Sequence, residues 1–93
     1  MNLGSIWKDY FSHWPTGVAP TGVLVTSYDE QIPFQNFMTG EALLVVERRA
    51  PDTTGARKVL LPYENIVAVK LVDVVNDSVF AGLGFKPPAG RSK

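Results

Sequence analysis

The chain has 93 residues, of which 45% are hydrophobic and 19% charged, and nine basic residues balance nine acidic ones. This length predicts one domain with a small core, and the composition is that of a folded chain rather than a disordered one. The net charge of zero argues against a strong non-specific grip on nucleic acid, and the absence of cysteine excludes disulfides and thiolate chemistry.

The sequence shows neither the pattern of a signal peptide nor that of a membrane span. The N-terminus lacks a basic region followed by an apolar one, as a signal peptide would have. No apolar run approaches the ~18 residues of a membrane span. We therefore expect a cytoplasmic protein that does not associate with membranes.

Residues 5 to 14 (SIWKDYFSHW) predict a short helix that Ser5 caps and Pro15 ends. A helix this short is marginal on its own in water, so its apolar stripe must dock on something. We expect a lid over the end or face of a sheet, and a helix for a partner or membrane is the alternative. The residues of the stripe are Ile6, Trp7, Tyr10, Phe11 and Trp14.

From residue 22 onward the apolar residues recur with a period of two, which is typical of β-strands. In the second strand Ile32, Phe34 and Met38 are predicted to share one face, with Phe37 on the other. Pro33 cannot donate to a ladder, so it should lie at a sheet edge or near the strand start. The predicted strands are 22–27, 32–39, 42–49, 59–61 and 66–69.

Residues 43–46 and 66–69 are apolar on both faces, so one face needs cover from outside the core. The helix covers part of it, and a neighbouring subunit is expected to cover the rest. An unpaired edge on such strands invites association. The pattern therefore predicts a homo-oligomer that forms edge to edge.

The predicted domain spans residues 1–85, with the helix at about 5–14. The apolar residues of its last part, Val79, Phe80, Leu83 and Phe85, are expected to pack back on the sheet. Residues 86–93 (KPPAGRSK) predict a disordered tail.

The last two apolar runs are separated by only four residues, and the stretch 61–69 (LPYENIVAV) resembles the second Sm motif. Asn65, Ile66 and Val67 match that motif, whereas Pro62 and Tyr63 replace its usual Arg-Gly pair. Upstream, residues 23–47 resemble the strand-turn-strand plan of the first Sm motif. Met38-Thr39-Gly40-Glu41 occupies the place of its Asp and Asn signature.

The resemblance to the Sm-like (LSm) family implies a mainly β fold. A short N-terminal helix would precede a five-stranded, strongly bent antiparallel barrel of the Sm-like or SH3-like kind. One turn of tight helix would separate the last two strands, and the final strand would pair with the next subunit of a ring. In the family, single-stranded RNA binds near the ring pore, between the turn before the third strand and the corner before the fifth. The corresponding positions in this chain are residues 38–41 and 62–65.

On this resemblance the candidate RNA-binding residues are Thr39, Gly40, Tyr63 and Asn65. Asn65 is the one motif match. Tyr63 is a separate inference, because an aromatic ring there could stack on a base, an interaction worth ~1–3 kcal/mol. Both can instead be turn residues, with Asn65 bonding its own backbone and Tyr63 packing as a half-buried aromatic.

The remaining polar residues give no catalytic or metal-binding pattern. His13 is the only histidine, and a metal site needs a cluster of ligands, so we expect no metal, no cofactor and no enzymatic activity. Four basic residues flank the loop at 51–56, where they either solubilise its ends or contact phosphate. They are Arg48, Arg49, Arg57 and Lys58.

The sequence therefore predicts an Sm-like protein that forms a homo-oligomeric ring and binds single-stranded RNA. Its partners would be further copies of itself and the RNA. One alternative is a non-catalytic assembly or protein-interaction module on the same barrel without RNA binding, which the missing corner arginine favours. The other is a monomeric SH3-like barrel whose aromatic groove of Trp7, Trp14 and Tyr63 binds a peptide.

Overall fold

Five antiparallel strands and two short helices make up residues 2–88, the part of the chain that the computed structural model describes. Residues 89–93 of the predicted tail lie outside the described residues, and residues 86–88 are in neither helix nor strand. The elements are α1 (Leu3–Ser12), β1 (Gly22–Thr26), β2 (Gln31–Thr39), β3 (Leu43–Arg48), β4 (Lys58–Pro62), a 3₁₀ corner (Tyr63–Asn65), β5 (Ile66–Lys70) and α2 (Asp77–Gly82).

The strands form one sheet in the order β4-β3-β2-β1-β5, and every neighbouring pair is antiparallel. The prediction of a mainly β chain with an N-terminal helix and five antiparallel strands is confirmed. The sheet is open, however: among the described residues β4 pairs only with β3, and β5 only with β1. Closure into a barrel is not observed.

Two β-bulges bend this sheet. Between Phe34 and Asn36 the register with β3 shifts by one, so Gln35 is an extra residue on β2. A second shift, opposite Val25 and Thr26 of β1, leaves Val67 as the extra residue on β5. A bulge bends its strand and increases the local twist, so both strands curve around the core.

The bulge at Gln35 also reverses which side chains of β2 face inward. Ile32 and Phe34 are buried as predicted, but after the bulge Phe37 packs against the core and Met38 is 72% exposed. The prediction that Met38 shares a face with Phe34 is therefore wrong. An unbroken period of two cannot anticipate an inserted residue.

Pro33 lies in a central strand but near its start, so the prediction of a place at a sheet edge or near the strand start is confirmed by the second option. Its carbonyl accepts a hydrogen bond from the Arg49 N–H at 3.4 Å. Arg49 follows the last residue of β3, so the missing N–H of Pro33 falls where the ladder ends. The proline therefore breaks no internal pair.

Helix α1 covers one face of the sheet, as predicted for the lid. Phe11 enters the core, and Trp7, Tyr10 and Trp14 pack around it. The helix starts earlier than predicted because Asn2, not Ser5, is the cap: its side chain accepts the Ser5 N–H at 2.8 Å. The buried core residues are Phe11, Leu24, Ile32, Phe34, Leu44, Val46, Leu61, Tyr63 and Ile66.

The C-terminal part does not pack back on the sheet as fully as predicted. Val79 and Phe80 are half-buried, but Leu83 and Phe85 are exposed. None of the residues of α2 is buried. The prediction is therefore wrong for Leu83 and Phe85.

Candidate functional site

The β2–β3 turn and the 3₁₀ corner, far apart in sequence, meet in the structure. The turn is closed by the Gly40 N–H, which donates to the Leu43 carbonyl at 2.9 Å. The corner is closed by the Ile66 N–H, which donates to the Tyr63 carbonyl. The Tyr63 hydroxyl then donates to the Gly40 carbonyl at 2.8 Å and joins the two. The predicted tight corner between the last two strands is thus present as one 3₁₀ turn.

Tyr63 has a structural position. Its ring belongs to the core and is 2% exposed, so neither face is open to a base in this conformation. The hydroxyl is engaged with Gly40. The alternative that Tyr63 packs as a corner aromatic therefore describes the structure, and the ring is buried more completely than a half-buried corner residue would be.

The other three predicted residues remain accessible. Thr39 and Gly40 are exposed on the turn. Asn65 is half-buried, and its backbone carbonyl accepts the Ser27 N–H at 2.8 Å. That bond fixes the end of the corner against β1, so the position of the Asn65 side chain is set by the sheet. The structure thus places Thr39 and Gly40 at the end of β2 and Asn65 on the corner, and the hydrogen bond from Tyr63 to Gly40 links these two elements.

Helix α1 supplies a third wall, which the sequence pattern did not indicate. Its first turns, the β2–β3 turn and the corner enclose an open cleft of about 470 Å³. Lys8 Nζ lies 3.0 Å from Glu41 Oε1 across this cleft. Lys8 was recognisable only as a polar-face residue, because sequence periodicity gives the docking face of a helix and not its direction over the sheet. The residues that line the cleft are Asn2, Gly4, Ser5, Lys8, Glu41, Ala42, Leu43, Pro62, Tyr63 and Glu64.

The charge around this cleft does not favour phosphate. Glu41 is paired with Lys8, and Glu64 is exposed on the corner. The basic residues flank the end of β3 that is remote from the cleft. Arg48 is five residues from Leu43, which lines the cleft, so the two are about 17 Å apart at ~3.4 Å per residue. They therefore cannot act at the same place within one subunit. They are Arg48, Arg49, Arg57 and Lys58.

The loop between β3 and β4 is organised by one carboxylate. Asp52 accepts hydrogen bonds from the Ala56 N–H at 2.9 Å and from the Thr54 hydroxyl and N–H at 2.7 and 2.8 Å. These bonds, led by that from Ala56, hold the pKa of Asp52 below its usual range. Arg48 donates to the Ala50 carbonyl at 3.0 Å and closes the start of the loop.

Other candidate chemistry is sparse in residues 2–88. No three acidic, histidine or cysteine side chains of this part of the chain come together as a metal site would require. His13 is exposed at the end of α1, with Nδ1 3.3 Å from Asp9 Oδ1. Trp7 and Trp14 are half-buried against the core, so they do not form an open groove with the buried Tyr63.

Three comparisons with known proteins gave no match. No protein-family model matches the chain, and no match was found among curated proteins or solved structures. Within the described residues, no helix has the length and apolar character needed to cross a membrane.

Proposed function

We propose that this chain is an Sm-like subunit that assembles edge to edge into a homo-oligomeric ring. The observation that carries this proposal is the pair of free edges on β4 and β5, the two strands that the 3₁₀ corner joins. An N-terminal helix, five antiparallel strands and one tight turn between the last two are the features that the resemblance implies. They support the proposal together.

The edges carry unused hydrogen-bonding groups. The Arg48 N–H donates to the Arg57 carbonyl at 2.7 Å. Because antiparallel ladders alternate, Val59 and Leu61 then face β3 and the backbone of Leu60 faces outward. On β5 the same alternation directs the backbone of Val69 outward. A second copy that pairs these edges satisfies the outward hydrogen-bonding groups.

A proline on the β5 edge tests this proposal. Val69→Pro removes an outward N–H and spares the bonds to β1, and it also replaces a side chain that packs against the core. The chain should stay folded by circular dichroism, with lower stability, while its mass in size-exclusion chromatography with light scattering falls to 10.2 kDa. Thr53→Pro, in the exposed loop, is the matched control and should keep the mass of the unmodified chain. A monomeric unmodified chain, or an assembled and folded Val69→Pro, contradicts the proposal.

Binding of single-stranded RNA by this ring is a second candidate. It is favoured by the contact of Tyr63 with Gly40, which joins the two turns where the family binds RNA. The accessible residues Thr39, Gly40 and Asn65 would then contact the RNA, without base stacking by Tyr63. The neutral net charge implies weak binding that falls with salt.

Fluorescence anisotropy of labelled oligo-U and oligo-A across a salt series tests this candidate. We expect saturable binding that Asn65→Ala weakens and Tyr63→Phe leaves unchanged. Absence of binding at low salt by an assembled ring would contradict RNA binding. The non-catalytic assembly module would then be the remaining function.

A further inference from the structure

The outer face of the sheet carries an apolar row across its β4 side. Met38 lies opposite Val45, and Val45 lies opposite Leu60. Residues directly opposite in antiparallel strands point to the same face. Met38 is 72% exposed and Leu60 61% exposed, and the core occupies the other face of the sheet. We name these three residues the outer row.

A second apolar surface lies on the C-terminal arm, residues 71–88. Val74 is fully exposed and Phe85 is 64% exposed. Phe85 is folded back by a bond from its N–H to the Phe80 carbonyl at 3.0 Å, which needs the positive φ of +98° at Gly84. The rings of Phe80 and Phe85 meet edge to face at 6.1 Å between centroids. Apart from this contact with Phe80, the Phe85 ring is exposed among the described residues.

The arm presents an open cleft, and the outer row presents the exposed side chains of Met38 and Leu60. The cleft on the arm has a volume of about 550 Å³. Its walls are apolar apart from Asp77 and Lys86 and include Phe80, Phe85 and Pro87. Burial of an exposed aliphatic side chain such as that of Leu60 in this cleft would be favourable, because apolar burial contributes about 25 cal/mol per Å² removed from water.

We propose that the arm of each subunit docks on the outer row of the neighbouring subunit, an inference that rests on the proposed ring. The arm starts directly after β5, so in a ring it emerges beside β4 of the neighbour, the strand that carries Leu60. Met38 lies two strands further across, about 14 Å from β5 at ~4.8 Å per strand. Residues 71–76 can extend over about 20 Å at ~3.3 Å per residue, and α2 adds about 9 Å at ~1.5 Å per residue, so the arm reaches the whole outer row.

Within its own subunit the arm lies beside the entry of β1 and the loop after α1. Thr21 Oγ1 donates to Asp73 Oδ2 at 3.2 Å, which ties the start of the arm to the entry of β1. Val79 then borders a cleft together with Val18 of the loop after α1. Residues 71–88 therefore leave the outer row of their own subunit exposed.

Each of the two apolar surfaces carries one charge of each sign beside it. Asp77 and Lys86 lie on the wall of the arm cleft. Lys58 and Glu47 lie opposite each other on β4 and β3, two residues from Leu60 and Val45 and on the same outer face. Docking would pair Asp77 with Lys58 and Lys86 with Glu47, and such pairs beside an apolar contact favour one register over others. A second copy of this chain thus provides an apolar surface and charges that suit the outer row.

Cross-linking between two single-cysteine variants tests the proposal, because the chain has no cysteine of its own. Leu60→Cys and Phe85→Cys chains with different tags are refolded together and treated with a short bis-maleimide. Docking predicts a product that joins the two tags. The control pair, Tyr28→Cys with Phe85→Cys, should give none, since Tyr28 lies exposed on the β1–β2 turn.

A second measurement uses full-length chains without cysteine. Phe85→Ser should raise the concentration at which the assembly dissociates at least tenfold, while Tyr28→Ser, another exposed aromatic, should not change it. An intact assembly with no cross-link above the control, or with unchanged dissociation in Phe85→Ser, overturns arm docking and leaves the ring standing. A monomeric unmodified chain overturns both.

Discussion

Truncation of Tyr63 separates a structural corner residue from an RNA-stacking one. The ring is buried in the core and the hydroxyl bonds the Gly40 carbonyl at 2.8 Å. Loss of a buried aromatic side chain costs ~3–5 kcal/mol, and loss of one neutral hydrogen bond about 1 kcal/mol. We therefore expect Tyr63→Ala to lower the free energy of unfolding by ~3–5 kcal/mol and Tyr63→Phe to lower it by about 1 kcal/mol.

Urea denaturation followed by tryptophan fluorescence measures both values, since Trp7 and Trp14 pack around the core. Domains of this kind have a total stability of ~5–15 kcal/mol, so Tyr63→Ala should unfold at a much lower urea concentration. For Tyr63→Phe a loss of about 1 kcal/mol corresponds to a melting temperature lower by ~4–8 °C.

The reasoning fails if Tyr63→Ala keeps the stability of the unmodified chain within ~0.5 kcal/mol, which is the range of surface substitutions. It also fails if that variant loses RNA affinity alone. In either case the Tyr63 ring would not be part of the core.

Three further predictions follow from the same structure. Phe37→Ala should cost ~2–4 kcal/mol in urea denaturation and Met38→Ala less than ~0.5 kcal/mol; the opposite order would contradict the bulge. A Cβ at Gly22 would lie 2.6 Å from the carbonyl that ends β5, so Gly22→Ala should destabilise by ~1–3 kcal/mol, while Gly82→Ala, which has open space, should not. The lowered pKa of Asp52 means that its carboxylate stabilises the loop above the unfolded pKa, and this contribution is lost as pH falls through the lower folded value. An NMR titration of that carboxyl should show a midpoint below ~3.9; a midpoint at or above this value would contradict the hydrogen bonds.

The elements of this fold follow from sequence periodicity where the pattern is long and regular. Five short apolar segments separated by turn residues, and one aromatic stripe with helical spacing, predict the five strands and α1. The corner at 62–65 is also readable, because Pro62 sets an extended backbone, with φ −67° and ψ 145°, just before the turn.

The two β-bulges could not be predicted from sequence periodicity. Each inserts one residue into a strand, and nothing in the residue types at Gln35 or Val67 distinguishes them from ordinary strand positions. One inserted residue exchanges the two faces of the strand beyond it. Phe37 and Met38, both apolar, fit either face by composition, so only the tertiary packing decides between them.

The sequence left two interpretations of Tyr63 open, a ring that stacks on a base and a ring that packs at the corner. The core takes up the ring, and the Tyr63 hydroxyl joins the corner to the β2–β3 turn, so the second interpretation describes the structure. The Tyr63 ring is buried because α1 packs against the corner. The direction in which α1 crosses the sheet depends on tertiary contacts, so local sequence does not show it. The ion pair of Lys8 with Glu41 could not be predicted from the sequence for the same reason.

Amide hydrogen exchange on the assembled chain tests the central claim of edge-to-edge pairing most directly. The N–H of Leu60 faces the free edge of β4, whereas those of its neighbours Val59 and Leu61 face β3 and serve as internal references. The proposed ring predicts that Leu60 exchanges about as slowly as these two neighbours. Exchange of Leu60 at the rate of an unstructured peptide, with both neighbours protected, would show a free edge and contradict the ring.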